Sequence, residues 1–215
     1  MKLSNELYEA ILTGDARAAR KTTEEALAAG HDPLALVNGH MTRAMDEVGR
    51  LFELGEYFVP ELLLSARAMK AALELLRPLL ANAGAEPAGR VVIGTVAGDL
   101  HDIGKNLVAA MLEGGGFEVT DLGTDVAPAK FIEAATAKNA QIVCLSALLT
   151  VTMPAMRTTI EAFRAAGVRG RVKVMVGGAP VTAQYARDIG ADGYSENAST
   201  AVALARRLTG EPLHA

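Results

Sequence analysis

Asp99 and His101 stand two residues apart in the stretch Gly98-Asp99-Leu100-His101-Asp102-Ile103-Gly104-Lys105-Asn106. A carboxylate in that position can accept one ring N–H of the histidine. That fixes the tautomer and strengthens the other nitrogen as a metal ligand. The apolar run Val91 to Val96 before the stretch reads as a buried strand, and Leu107 to Leu112 after it as a helix. His101 therefore falls just past the carboxyl end of a strand, where open α/β sheets bind ligands. The chemistry expected there is axial ligation of a metal by His101, tuned by Asp99. Gly104 would let the following helix begin close to a bulky ligand. Taken alone, Asp-x-His-x-x-Gly also describes a capping aspartate beside an exposed histidine.

Two further features share the same expected edge. A strand over Ile142 to Leu145 ends in Ser146-Ala147-Leu148, and another over Val172 to Val176 ends in Gly177-Gly178. Small residues at neighbouring strand ends leave a slot where side chains would otherwise pack. Each feature separately has an ordinary explanation, a backbone-bonded serine or a strand-to-helix turn. Their coincidence on one edge points to a ligand.

The elements that must position these residues form two regions. Residues 1–83 read as helices. Leu3, Leu7, Ala10 and Ile11 recur at helical spacing, and Gly14-Asp15 breaks the segment. Asp15 caps a second helix, Ala16 to Ala29. Asp32 and Pro33 open a third, running to about Leu54 and closed by Gly55. A fourth begins near Pro60 and runs toward Leu80. Four helices with short connections predict a small antiparallel bundle. Residues 84–90, rich in Gly, Pro and small residues, read as a linker. From 91 to 215 strands and helices alternate, with further short strands over Phe117 to Thr120 and Asp192 to Tyr194. Helices are expected from Pro128, from Pro154 to Ala166, from Thr182 to Ile189, and after a cap at Ser195 or Asn197. Strict β-α alternation predicts a doubly wound (Rossmann-like, flavodoxin-like) parallel sheet of five strands. The fold class is thus α/β with a helical domain in front.

Composition excludes several classes. The formal net charge is −4, with no basic stripe, which argues against a nucleic-acid partner. A single cysteine forbids an internal disulfide and suits a reducing compartment. No apolar stretch approaches the roughly 20 residues that span a membrane, and the N-terminus has no apolar signal core. A cytoplasmic location with no membrane partner is the expectation.

Asp99-x-His101-x-x-Gly104, Ser146-x-Leu148 and Gly177-Gly178, in this order and spacing, resemble the cobalamin-binding domains of methionine synthase, adenosylcobalamin mutases and corrinoid methyl-carrier proteins. Gly55-Glu56-Tyr57-Phe58-Val59-Pro60 and Ser65-Ala66-Arg67-Ala68-Met69-Lys70 are similar to the helical cap that precedes this domain in the methyltransfer branch; the mutases lack it. The resemblance implies a cobalamin cofactor, cycling between a Co(I) corrinoid and methylcobalamin, bound base-off with His101 as lower axial ligand. It implies that Asp99 and the hydroxyl of Thr152 complete a relay coupling proton uptake to the state of cobalt. Ser146 would bond the displaced nucleotide base, beside Leu148. Gly177 and Gly178 would line the slot for the nucleotide tail. The backbone around Asp102, Ile103, Gly104 and Thr150 would meet the corrin periphery, and Phe58 would shield the upper face. The implied protein is a carrier, not an enzyme alone. It would take a methyl group through a substrate-specific methyltransferase and give it to an acceptor such as tetrahydrofolate or a thiol through an acceptor methyltransferase, with a reductive activase as third partner.

Other candidates carry less. His31 sits in a turn, His40 on a helix and His214 in a tail. Cys144, mid-strand, reads as a small buried hydrophobe. Met41, Met45, Met69, Met153 and Met156 have the spacing of core residues. Asp125 either touches the corrin or caps the next helix, and Glu196 and Asn197 suit a cap. A cobalamin-dependent regulatory module is the competing class; the lack of basic charge counts against it. A zinc site lacks a second His or Cys at this edge. No Gly-x-Gly-x-x-Gly follows the first strand, so dinucleotide binding is poorly supplied.

Overall fold

The computed structural model describes residues 2–82 and 86–210. The chain divides between Pro87 and Ala88 into a helical unit and a sheet-containing unit. Part of the expected linker, and His214 in the tail, lie outside the described residues.

The helical unit opens with α1 (Lys2–Leu12), which buries Leu7, Ala10 and Ile11. Gly14 turns the chain at φ +75°, and a Cβ there would lie 2.5 Å from Leu64 Cβ. Asp15 then caps α2 (Ala16–Ala28), its Oδ1 accepting the N–H groups of Arg17 and Ala18. Asp32 caps α3 (Pro33–Leu36) through Ala35 N–H, with Pro33 in the first turn. The expected single helix from Pro33 to Leu54 is interrupted. Val37–Met41 forms a π turn in which Thr42 N–H reaches back to Val37 C=O, and α4 (Thr42–Glu53) follows. The extra residue in that turn leaves the apolar stripe in place, so Leu36, Met41, Met45 and Val48 are all buried. Gly55 ends the segment with φ +72°.

The last helix of this unit, α5 (Val59–Asn82), begins one residue before Pro60 and continues through Pro78. Glu61 carboxylate accepts the N–H of Phe58 at its start. Helix α2 packs on α1 and α5, and α4 packs on the same two helices. Leu62, Met69 and Leu76 of α5 are fully buried among them. Met41, Met45 and Met69 are core residues here, as their spacing predicts.

The second unit is a sheet of five parallel strands, β1 (Arg90–Thr95), β2 (Glu118–Asp121), β3 (Ile142–Ser146), β4 (Lys173–Gly177) and β5 (Gly193–Tyr194). Their spatial order is β2-β1-β3-β4-β5, the flavodoxin-like order whose switch point lies between β1 and β3. Helices α6 (Ile103–Gly114), α7 (Pro128–Ala137), α8 (Pro154–Ala165), α9 (Ala183–Ile189) and α10 (Ala198–Thr209) connect and follow the strands. Near-continuous burial along β1, β3 and β4 is what a sheet covered on both faces requires. Gly94 is placed by packing, since a Cβ there would lie 2.8 Å from Phe131 Cζ.

Three strands run one residue beyond the apolar runs that marked them. β2 covers Glu118–Asp121 because Phe117 N–H still closes the preceding turn on Leu112 C=O. β3 takes in Ser146 and β4 takes in Gly177. Of the two candidates for the last cap, Asn197 caps α10, in a reciprocal box with Thr200.

Candidate functional site

Strand register assembles the site. Thr95 pairs with Ser146, and Ser146 with Gly177, so three strand ends finish level at the carboxyl edge of the sheet. The loop between β1 and α6 leaves this edge carrying Asp99 and His101. Gly98, at φ +82°, makes the turn.

Asp99 has no solvent exposure. Its Oδ1 accepts the His101 backbone N–H at 3.0 Å and faces His101 Nδ1 at 2.7 Å. Its Oδ2 accepts the Thr152 hydroxyl at 2.6 Å and the Leu148 N–H at 2.8 Å, with Leu149 N–H at 3.4 Å. Burial alone pushes this carboxyl upward, but the bonds from Thr152, Leu148 and His101 outweigh it. They hold Asp99 well below the usual carboxylate range. An ionised Asp99 can only accept. His101 Nδ1 is therefore the donor, and the Nε2 lone pair is left for a ligand. The imidazole side chain is 48% exposed while its aspartate is sealed. Thr152 Oγ1 also lies 2.9 Å from Leu149 C=O. Its single proton goes to the carboxylate, the stronger acceptor.

The structure thus brings Asp99, His101 and Thr152 into one hydrogen-bonded chain. Both Asp99 oxygens are filled by donors, so the carboxylate orients and does not ligate. Among the described residues no group of three or more His, Cys, Asp or Glu could hold a metal ion. The site presents one imidazole, which suits a metal whose other positions are filled by a group that carries it. Exposed apolar residues flank the site residues in sequence, Leu100 and Ile103 beside His101 and Leu148, Leu149 and Val151 before Thr152. Leu100 is 73%, Ile103 81% and Val151 80% exposed, with Leu148 and Leu149 partly so. Exposed apolar residues of this kind beside a polar centre mark a ligand surface.

The remaining candidates are placed as follows. Gly104 lies in the first turn of α6, and a Cβ there would meet nothing within 4 Å. Asp102 starts α6, its C=O accepting Asn106 N–H at 2.7 Å and its Oδ2 the Asn106 amide at 3.0 Å. Thr150 is exposed beside Val151. Gly177 and Gly178 are glycines first because of the protein itself. A Cβ at Gly177 would lie 3.2 Å from Ser195 O, and one at Gly178, whose φ is +131°, only 1.9 Å from Ala147 O. Phe58 is 63% exposed at the start of α5, in the helical unit. Cys144 is buried in β3, and burial pushes its thiol up to about 12. His40 lies on the π turn, where burial and then Arg43 lower its pKa.

Asp125 does not cap the helix that follows it. Ala127 occupies the cap position of α7, without a side-chain bond, and Pro128 begins the helix. Asp125 instead holds the loop before His101. It adopts φ +53°, its Oδ1 accepts Gly98 N–H at 2.7 Å, and its own N–H donates to Asp99 C=O at 2.9 Å.

Sequence reasoning missed two other contributors. Thr95, fully buried, donates its hydroxyl to His101 C=O at 2.9 Å; its signal was a hydroxyl near the end of an apolar strand. Lys105 is almost completely buried in α6 and pairs with Asp121 at the end of β2 and with Asn106 Oδ1 at 2.6 Å. Nothing local marks that lysine as buried, because its partner comes from another strand.

Comparison with known proteins places this geometry. A family described as B12 binding domain matches residues 89–203, and a second of the same description matches residues 3–77. The dimethylamine corrinoid protein 1 of Methanosarcina acetivorans is 44% identical over 208 residues, covering 96% of this chain and 97% of that protein. A crystal structure of a cobalamin-binding protein from Desulfitobacterium hafniense superposes with a TM-score of 0.80 at 34% identity, over 95% of this chain and 98% of that one. The methanol:cobalamin methyltransferase complex MtaBC of Methanosarcina barkeri contains a chain with a TM-score of 0.86 at 29% identity, over 97% of this chain and 80% of that one. No helix among the described residues is long and apolar enough to cross a membrane. Its two B12-binding matches and its full-length corrinoid relative show that the chain belongs to the B12-binding corrinoid protein family.

Proposed function

We propose that the protein is a methyl carrier that holds a corrinoid base-off, with His101 as the lower axial ligand of cobalt. The observation that carries this is a half-exposed imidazole tied through Nδ1 to a sealed, ionised carboxylate and flanked in sequence by exposed apolar residues. When bound, a corrinoid supplies a cobalt centre able to take up and give back a methyl group, and the protein supplies ligation, orientation and shielding.

His101 offers Nε2 while Asp99 keeps the Nδ1 proton in place. Asp99, itself bonded to Thr152, would keep the ring oriented through Nδ1 whether or not Nε2 is engaged by a metal. Ser146 and Leu148, with Gly177 and Gly178, are assigned to the nucleotide tail. The segment of Asp102, Ile103 and Gly104, with Thr150, is assigned to the corrin rim. For Phe58, a role above the cofactor rests on the resemblance alone.

By likeness to the chain in the methanol:cobalamin methyltransferase complex, the first expected partner is a substrate-specific methyltransferase; an acceptor methyltransferase serving tetrahydrofolate or a thiol, and a reductive activase, rest on the family resemblance alone. The test is transfer. Protein reconstituted with isotopically labelled methylcobalamin, mixed with tetrahydrofolate or a small thiol, is expected to keep its label until a corrinoid:acceptor methyltransferase is added. Label retained with every such methyltransferase, alongside cofactor-dependent binding to a transcription factor, would point to a regulatory module and against a carrier.

A further inference from the structure

We infer that Thr95 is a positioning residue for the His101 ligand, clamping its main chain to the sheet independently of Asp99. The inference rests on the assignment of His101 as the axial ligand. Two of the contacts that hold His101, its N–H and its ring Nδ1, end on the same atom, Asp99 Oδ1. A shift of that carboxylate would release both together. Thr95 supplies a third contact from a different element, its Oγ1 donating to His101 C=O at 2.9 Å.

The hydroxyl is well placed for this. Thr95 is the last residue of β1 and is fully buried. Its own N–H donates to Gly123 C=O and its C=O accepts from Val126 N–H, both at 2.9 Å. On the other side it is in register with Ser146 of β3. A residue fixed from both flanks cannot follow the loop, so the bond holds His101 to the sheet. A ligand that leaves and rejoins a metal in each cycle gains from such an anchor, because only the ring has to be re-ordered on return. Thr95 touches neither metal nor substrate and acts only through His101.

Valine has the shape of threonine without the donor, so Thr95→Val isolates the hydroxyl, and Thr95→Ser restores it. Wild type and both variants would be loaded with aquocobalamin and reduced to the Co(II) state. The nitrogen splitting in the electron paramagnetic resonance spectrum then measures the ratio of His-on to His-off protein. Amide hydrogen exchange at His101 would be measured in the cofactor-free proteins. Thr95→Val is expected to keep the wild-type circular dichroism while lowering the His-on to His-off ratio and speeding His101 exchange, each about tenfold, the effect of losing one hydrogen bond. Thr95→Ser is expected to recover most of both. Wild-type values for Thr95→Val, or a Thr95→Ser variant as impaired as Thr95→Val, would overturn the clamp. Absence of axial nitrogen splitting in the wild type would instead overturn the ligand assignment of His101, and hydrogen exchange in the cofactor-free proteins would then decide the clamp.

Discussion

Alanine in place of Asp99 is expected to destabilise the sheet-containing unit by about 2–5 kcal/mol, read as a fall in the urea midpoint. The carboxylate is fully buried and satisfies the Thr152 hydroxyl, the Leu148 N–H and two donors of His101. Alanine leaves about two of these without an acceptor, at roughly 1–3 kcal/mol each, since the Thr152 hydroxyl can turn to Leu149 C=O and the half-exposed imidazole to water. The same change frees the imidazole tautomer, so the His-on fraction of the loaded protein should fall with it. The pH dependence has a definite sign. The folded-state pKa of Asp99 lies below its ordinary value of 3.8. Its contribution is therefore complete above about pH 4 and is lost as pH falls below that value. The stability curve of wild type should descend more steeply on the acid side than that of Asp99→Ala. Parallel acid limbs would show that these four contacts do not hold the carboxylate in its charged form.

Gly178→Ala is expected to cost about 2–5 kcal/mol with or without cofactor, while Gly104→Ala leaves the fold intact. At Gly178 an added Cβ would sit 1.9 Å from Ala147 O on a backbone with φ +131°. Left-handed strain of roughly 1–3 kcal/mol combines there with an overlap of similar size. Gly104 is in the first turn of α6 with nothing within 4 Å of its Cβ position. A Gly→Ala change in a helix is neutral or stabilising, by up to about 0.5–1 kcal/mol. If the corrin rim lies against Gly104, Gly104→Ala should keep or raise stability and weaken cobalamin binding. Equal cobalamin affinity in Gly104→Ala and wild type would remove Gly104 from the site. The pair separates a glycine the fold needs from a glycine the ligand needs, which their shared residue type conceals.

What could be read from the sequence was what depends on local order. The alternation of apolar runs with helical periodicity marked the parallel sheet, and Asp15 and Asp32 announced the helix starts they cap, with Asn197 one of two candidates for the last. Asp99, His101 and Thr152 could be named together because the resemblance supplied their spacing. Features that depend on register or close approach were not legible. The π turn at Val37–Met41 adds a residue without disturbing the apolar stripe, so it leaves no periodic trace. Gly177 and Gly178 suggested room for a ligand, whereas the nearest obstacles are Ser195 O and Ala147 O. Asp125, read as either a corrin contact or a helix cap, lies in the loop after β2 and brackets Gly98 and Asp99. The Lys105–Asp121 pair and the Thr95–His101 bond join residues brought together only by the loop and the strand pairing.

The central claim is that His101 binds cobalt, and the visible spectrum of the reconstituted protein tests it most directly. Wild type loaded with methylcobalamin is expected to bind one equivalent and to show a base-off, His-on spectrum. His101→Ala is expected to lose the His-on features. Failure of the wild type to bind cobalamin, or the same spectrum in both proteins, would contradict the account.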